Sequence, residues 1–212
     1  MNTARQDDVR TLQEYVRHCS WPNLYYGVIS ELCTSVNASR FLEIGVAYGY
    51  HALDILAALP HIQYYGVDPY LAGYDVNDHF AHDVQKLFHE SSPQAGMDRL
   101  YGAVAATLAP FSDRARLLRK RSGDAAGDFP PHFFDTIFVD GDHTYAGVKT
   151  DLHAWWDALR PGGIYCGDDF LLPAVQQAVQ EFAVEIDHQL FLANKKGVEY
   201  PIWFIKKTMP NT

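Results

Sequence analysis

Phe41-Leu42-Glu43-Ile44-Gly45-Val46-Ala47-Tyr48-Gly49-Tyr50 is the stretch that decides the fold. Its first four residues are short, mostly apolar and end at a glycine, the pattern of a buried strand. Gly45 and Gly49 then permit a sharp turn and let a ligand lie close to the backbone. From Tyr50 to Leu59 the pattern is helical, until Pro60 stops it.

Downstream, the alternation repeats. Gln63–Asp68 reads as a second strand, Leu117-Leu118 as part of a third, Thr136–Asp140 as a fourth and Ile164–Asp168 as a fifth. Val148, Leu152, Trp155, Trp156 and Leu159 form the apolar stripe of a helix that Pro161-Gly162-Gly163 should end. The Trp155-Trp156 pair is read as helix packing. A further helix runs through Val175, Ala178, Val179 and Phe182, and Leu190–Leu192 and Ile202–Ile205 close the chain as strands. Strands alternating with helices predict an α/β fold with a mostly parallel sheet covered on both faces.

Upstream, residues 8 to 36 carry helical spacing broken at Trp21-Pro22-Asn23, so residues 1–38 are expected as N-terminal helices. Residues 71–112 are too long for a simple connection. They hold a polar, histidine-bearing part (Asp75 to His89) and a helical part (Met97 to Leu108). A lid over a substrate is one reading; a surface helix for contact within a homo-oligomer is the other. The whole chain, 1–212, is expected to be a single domain.

Composition bounds the function. Hydrophobic residues make up 48% of the chain, enough for a core, but no apolar run approaches the ~20 residues that span a bilayer, so no membrane partner is expected. Met1 to Arg10 is polar, without an apolar signal core, which makes the cytoplasm the expected location. With 17 Lys+Arg against 26 Asp+Glu, a net charge of −9 argues against nucleic acid as a partner. Arg114-Ala115-Arg116 through Lys120-Arg121 is a local basic run, read as a solvated strand approach. Cys19, Cys33 and Cys166 are odd in number and widely spaced, suggesting reduced thiols rather than disulfides or zinc.

Open α/β sheets bind ligands outside the carboxyl ends of their strands. Asp68 ends the second strand nineteen residues after Gly49, where a carboxylate can accept both hydroxyls of a ribose. A dinucleotide fingerprint, G-x-G-x-x-G, would need glycine where Ala47 and Tyr50 stand. Nicotinamide-dependent oxidation is therefore the weaker reading, and Glu43 suits a cationic cofactor bearing an amino acid.

The segment from Glu43 to Gly49 resembles the first motif of class I S-adenosylmethionine (SAM)-dependent methyltransferases. The resemblance implies a Rossmann-like sheet of seven strands, the last one antiparallel, with helices on both faces and a helical or lid insertion. It implies cofactor contacts from Glu43, Gly45, Tyr48, Gly49, Asp68 and Asp140. Ser122-Gly123-Asp124 matches the segment after the third strand that frames the adenine, although an ordinary polar turn would look the same.

Asp140, Asp168 and Asp169 fall at the ends of the fourth and fifth strands, hence on one edge of the sheet. Carboxylates that close repel unless a cation neutralises them, and oxygen donors favour Mg2+. A hydroxyl held there becomes more acidic. His143, three residues after Asp140, is the expected base. The rival readings are helix caps for the acids and a structural hydrogen bond for His143. The order Asp140-Gly141-Asp142-His143-Thr144-Tyr145, Asp151-Leu152 and Arg160-Pro161-Gly162-Gly163 is similar to the metal-dependent O-methyltransferases of macrolide-sugar and cephalosporin-hydroxylase-like type, and more distantly to catechol O-methyltransferases. This resemblance implies O-methylation of a small hydroxylated molecule, a sugar or glycosylated product first and a catechol-like diol second. A non-catalytic SAM-binding protein is the remaining alternative.

Overall fold

Phe41, Leu42 and Ile44 are buried because β1 (Arg40–Ile44) lies in the middle of a sheet with helices on both sides. The computed structural model describes residues 3–18, 26–74, 79–194 and 200–209. In chain order they form α1 (Thr3–His18), α2 (Tyr26–Ser35), β1, α3 (Tyr50–Ala58), β2 (Gln63–Val67), α4 (Phe80–Leu87), α5 (Pro93–Leu108), β3 (Ala115–Leu118), α6 (Ser122–Ala126), β4 (Phe134–Val139), α7 (Tyr145–Trp156), β5 (Leu159–Gly167), α8 (Pro173–Glu185), β6 (Leu190–Ala193) and β7 (Ile202–Lys206). The strand order is β3-β2-β1-β4-β5-β7-β6. β1 to β5 run parallel, and β7 is antiparallel to both β5 and β6. This is the expected Rossmann-like sheet of seven strands with its last strand reversed.

Strand residues alternate between two cores. Phe41, Tyr64 and Phe138 face the side packed by α2, α3 and α5. Leu42, Tyr65, Ile137 and Tyr165 face α7 and α8. Strands apolar on both faces are the mark of a covered parallel sheet.

Several local expectations shift. The break at Trp21-Pro22-Asn23 lies outside the described residues, as does Cys19; Cys33 and Cys166 are buried free thiols. Pro161-Gly162-Gly163 does not end the helix that precedes it. α7 stops at Trp156, and the three residues sit inside β5 as an irregularity between the pairs Phe134↔Leu159 and Thr136↔Ile164. Gly162 has φ +76 there, a conformation open to glycine. Residues 71–112 contain α4, α5 and a short 3-10 turn, with Ser92 capping α5 by accepting the Ala95 N–H at 3.2 Å and Pro93 in its first turn. α4 and α5 pack on each other, and α5 packs on α1.

The basic run from Arg114 to Arg121 is taken up by the protein itself. Arg114 donates to the Leu56 carbonyl at 2.7 Å, Arg119 pairs with Asp98, and Lys120 meets Asp128 at 2.5 Å. Among the described residues, no helix is long and apolar enough to cross a membrane.

Candidate active site

A cavity of about 780 Å³ opens at the carboxyl ends of β1, β2 and β4, within the range of small-molecule sites. Gly45 and Asp68 line it from the first two strands, Asp140 from β4, and Asp168 and Asp169 from β5.

The turn after β1 is built on contacts no side chain could share. A Cβ on Gly45 would lie 1.9 Å from the Asp140 carbonyl oxygen, and the residue holds φ +87. Gly49 (φ +76) precedes α3, and a Cβ there would meet Val104 at 2.9 Å. Between them, Ala47 takes φ 46 without being a glycine. Asp68 holds this strained turn: its carboxylate accepts the N–H groups of Val46 (3.1 Å), Ala47 (2.9 Å) and Tyr70 (2.7 Å). Burial raises the Asp68 carboxyl above its ordinary range, and the backbone donors oppose that. Tyr70, fully buried with φ 45, donates its hydroxyl to the Ala47 carbonyl at 3.1 Å. Asp68 and Tyr70 thus clamp the turn from both polarities, and Asp68 also lines the cavity.

The first-motif residues divide. Tyr48 lines the cavity, packed against Tyr15, Tyr50 and Phe80. Glu43 does not line it. As the fourth residue of β1, two after Phe41, it shares the face of Phe41, where its carboxylate pairs with His51 Nδ1 at 2.9 Å and accepts the Tyr64 hydroxyl. His51 is 4% exposed, enclosed by Tyr26, Phe41 and Phe138. The local sequence around His51 names no partner for it. The period of two along β1, which puts Glu43 on the α3 face, is the signal that could have supplied one.

After β3, Ser122 lines the cavity, buried, its hydroxyl accepting the Trp155 indole N–H at 2.8 Å. Gly123 and Asp124 are exposed and lie outside the lining, because α6 starts at Ser122 and turns both away. Asp151, on α7, is the buried acid that sequence reading passed over as a site residue.

At the other end, donor atoms of Asp140, His143 and Asp169 lie within 4.8 Å of one another, and His143 Nε2 meets Asp169 Oδ2 at 2.9 Å. Asp168 lines the same cavity but stands outside that group. Asp169 holds φ 57, a strained conformation that turns its carboxylate toward His143. Burial and the charges of Asp168 and Asp169 push the Asp140 carboxyl well above its ordinary range, while His143 pulls it down. Asp142 accepts the Thr144 N–H at 2.7 Å, and Thr144 caps α7 through the Gly147 N–H at 3.1 Å.

The described part of residues 71–112 forms one wall: Leu71, Tyr74, Phe80, Ala81 and Met97 border the cavity. With Tyr26, Tyr48, Tyr50 and Leu53 they make that side largely aromatic and apolar. His79, His82 and His89 are not among its lining residues.

Comparison with known proteins agrees with this architecture. Curated proteins give no significant sequence match. Solved structures give many. A Staphylococcus aureus protein assigned as a caffeoyl-CoA O-methyltransferase superposes with a TM-score of 0.65 at 15% identity, covering 93% of this chain and 91% of its own. The O-methyltransferase TomG from Streptomyces achromogenes, in complex with SAM, gives 0.59 at 17% identity over 99% and 91%. An O-methyltransferase from Bacillus cereus, in complex with S-adenosylhomocysteine, gives 0.56 at 15% over 98% and 92%. At such identities these likenesses speak to the fold. The sequence itself matches the methyltransferase-domain family over residues 42–170, from the glycine turn to the paired acids after β5. The glycine turn, Asp68 and the strand-end acids all fall inside that match, and the chain belongs to the methyltransferase-domain family as a class I SAM-dependent methyltransferase.

Proposed function

We propose that the protein is an O-methyltransferase that transfers the SAM methyl group to a hydroxyl of a small molecule, with a divalent cation, Mg2+ by donor type, at the strand-end acids. The observation that carries this reading is the convergence of Asp140, His143 and Asp169 at the mouth of the cavity that also contains Gly45 and Asp68. Three carboxylates at one edge, with Asp140 resisting ionisation in their company, are a donor set that fits a hard cation. Asp140 and Asp169 would hold it, with Asp168 beside them. When bound, it would lower the pKa of an acceptor hydroxyl and orient it.

The chain's own residues supply the rest. Asp68 and the Gly45–Gly49 turn fix the nucleoside half of the cofactor. His143, oriented by Asp169, takes the hydroxyl proton as the oxygen attacks the methyl carbon and the carbon–sulfur bond breaks, its electron pair returning to sulfur to leave S-adenosylhomocysteine. The tyrosine-rich wall excludes water from the charged sulfonium. That wall also favours a phenolic or catechol-like acceptor beside the sugar reading, since flat rings pack well on aromatic faces.

A methyl-transfer assay with purified protein, SAM and a panel of phenols, catechols and glycosides, run with and without EDTA, tests this. Metal-dependent ether formation is expected, lost in Asp140→Ala and Asp169→Ala. His143→Ala should lose turnover while still binding Mg2+ by calorimetry. Full activity in EDTA would overturn the metal assignment, and methyl transfer to nitrogen alone would overturn O-methylation.

A further inference from the structure

We infer that the acceptor carries a cationic amine, set apart from its reacting hydroxyl, and that Asp54 of helix α3 receives it. The inference deepens the methyl-transfer reading above and rests on it.

The charge of the cavity wall is one-sided. Asp68 follows β2, Asp140, Asp142, Asp168 and Asp169 follow β4 and β5, and Asp151 stands on α7. Asp54 is a further acid on the wall, and among the described residues no Lys or Arg borders the cavity. A cleft of one sign concentrates ligands of the other and repels its own. The cofactor's sulfonium and a divalent ion answer the acids at the strand ends. Asp54 belongs to a different part of the wall.

Helix α3 follows the Gly45–Gly49 turn and connects the parallel strands β1 and β2, so it runs back from the carboxyl edge of the sheet. Tyr50, Leu53, Asp54 and Ala57 border the cavity at the i, i+3, i+4, i+7 spacing of one helix face. Ala52, Ile55 and Leu56, on the other side, are buried in the core. The cavity therefore has an arm along α3. From Tyr50 to Ala57, at ~1.5 Å per residue, the arm is about 10 Å long. It starts beside the glycine turn and ends at Ala57, which is exposed. Tyr26 of α2, stacked on His51 of α3 at 4.5 Å, and Val16 of α1 also border the cavity.

On this face of α3, Asp54 is the one charged residue, set among Tyr50, Leu53 and Ala57. Its side chain is partly exposed, and among the described residues its carboxylate makes no hydrogen bond or ion pair. Its acceptor capacity is thus open to a ligand. An ammonium on an apolar stem suits this arm at both levels. The stem lies on Leu53 and Val16, and the charged head meets the carboxylate in a charge-assisted hydrogen bond that a neutral hydroxyl cannot match. An anionic tail would be repelled.

The test is calorimetric binding to protein loaded with S-adenosylhomocysteine and Mg2+. The probes are 4-(aminoalkyl)catechols of graded chain length and the alcohols that match them carbon for carbon. At the length that spans the arm, the wild type should prefer the amine by about 5–20-fold, the worth of a partly screened ion pair. Asp54→Asn should erase that preference, and Asp54→Lys should reverse it. Affinity for S-adenosylhomocysteine should be the same in all three proteins. A preference absent at every length, or persisting in Asp54→Asn, overturns this inference alone. So does a loss of S-adenosylhomocysteine affinity in Asp54→Asn, which would assign Asp54 to the cofactor. A wild type that binds S-adenosylhomocysteine but neither series overturns the phenolic acceptor, and this inference with it. A wild type without affinity for S-adenosylhomocysteine overturns the methyl-transfer reading itself.

Discussion

At the scale of single residues, the site is built from positions where backbone and side chain are both constrained. Gly45 is the tightest. A Cβ there would meet backbone atoms of Asp140 and Gly141, which cannot rotate away, and φ +87 penalises any L side chain. Gly45→Ala should therefore destabilise by about 3–5 kcal/mol, read as a lower urea midpoint at unchanged m-value. Asp151 makes a second prediction. Burial lifts its carboxyl from 3.8 to about 6, with a smaller push from Asp142 and a partial offset from Ser122. A carboxyl raised in the folded state leaves folding unpenalised below the unfolded value. The penalty grows as pH rises from about 4 through about 6, reaching about 3 kcal/mol. Asp151→Asn removes that titration. Its unfolding free energy relative to wild type should rise between about pH 4.5 and pH 7.5; parallel curves over that window would show that Asp151 is not titrating as described.

At the scale of elements, the wall over the cavity depends on how closely α4 and α5 approach. Gly96 of α5 lies against α4, where a Cβ would come 2.8 Å from Gln85 Cα and N. Gly96→Val should force the pair apart, costing about 2–3 kcal/mol and weakening ligand binding, because Phe80, Ala81 and Met97 on these helices line the cavity. Gly102, on the same helix, has nothing within 4 Å of a Cβ. Gly102→Ala should instead stabilise by about 0.5–1 kcal/mol through helix propensity and a restricted unfolded chain. Thermal denaturation of the two variants side by side separates packing from propensity. Equal effects would mean that the α4–α5 contact is not tight.

At the scale of the whole molecule, the central test is thermal shift. SAM at ~100 times its dissociation constant adds about 2.7 kcal/mol, raising the midpoint by roughly 5–10 °C for a chain of this size. NAD, whose pyrophosphate needs glycines where Ala47 and Tyr50 stand, should add nothing. A shift with NAD and none with SAM would contradict the cofactor reading.

The alternation of apolar strand and helix made the sheet legible in the chain, since periods of 2 and 3.6 are local properties of a sequence. The same locality placed Asp140, His143, Asp168 and Asp169 at strand ends, and hence on one edge. Three-dimensional packing decided what locality could not. It turned Glu43 under the sheet toward His51, because facing along β1 is fixed by which core each neighbour joins. It turned Asp124 to solvent on α6 and brought Asp151, nearly thirty residues further along, to the end of the cavity where Asp124 was expected. It drew Pro161-Gly162-Gly163 into β5, where pairing with β4 and β7 outweighs the tendency of proline and glycine to end structure. The sequence by itself determined the order of strands and helices, and the tertiary structure decided which acids share a cavity, because contact between residues distant in the chain depends on how helices pack across the sheet.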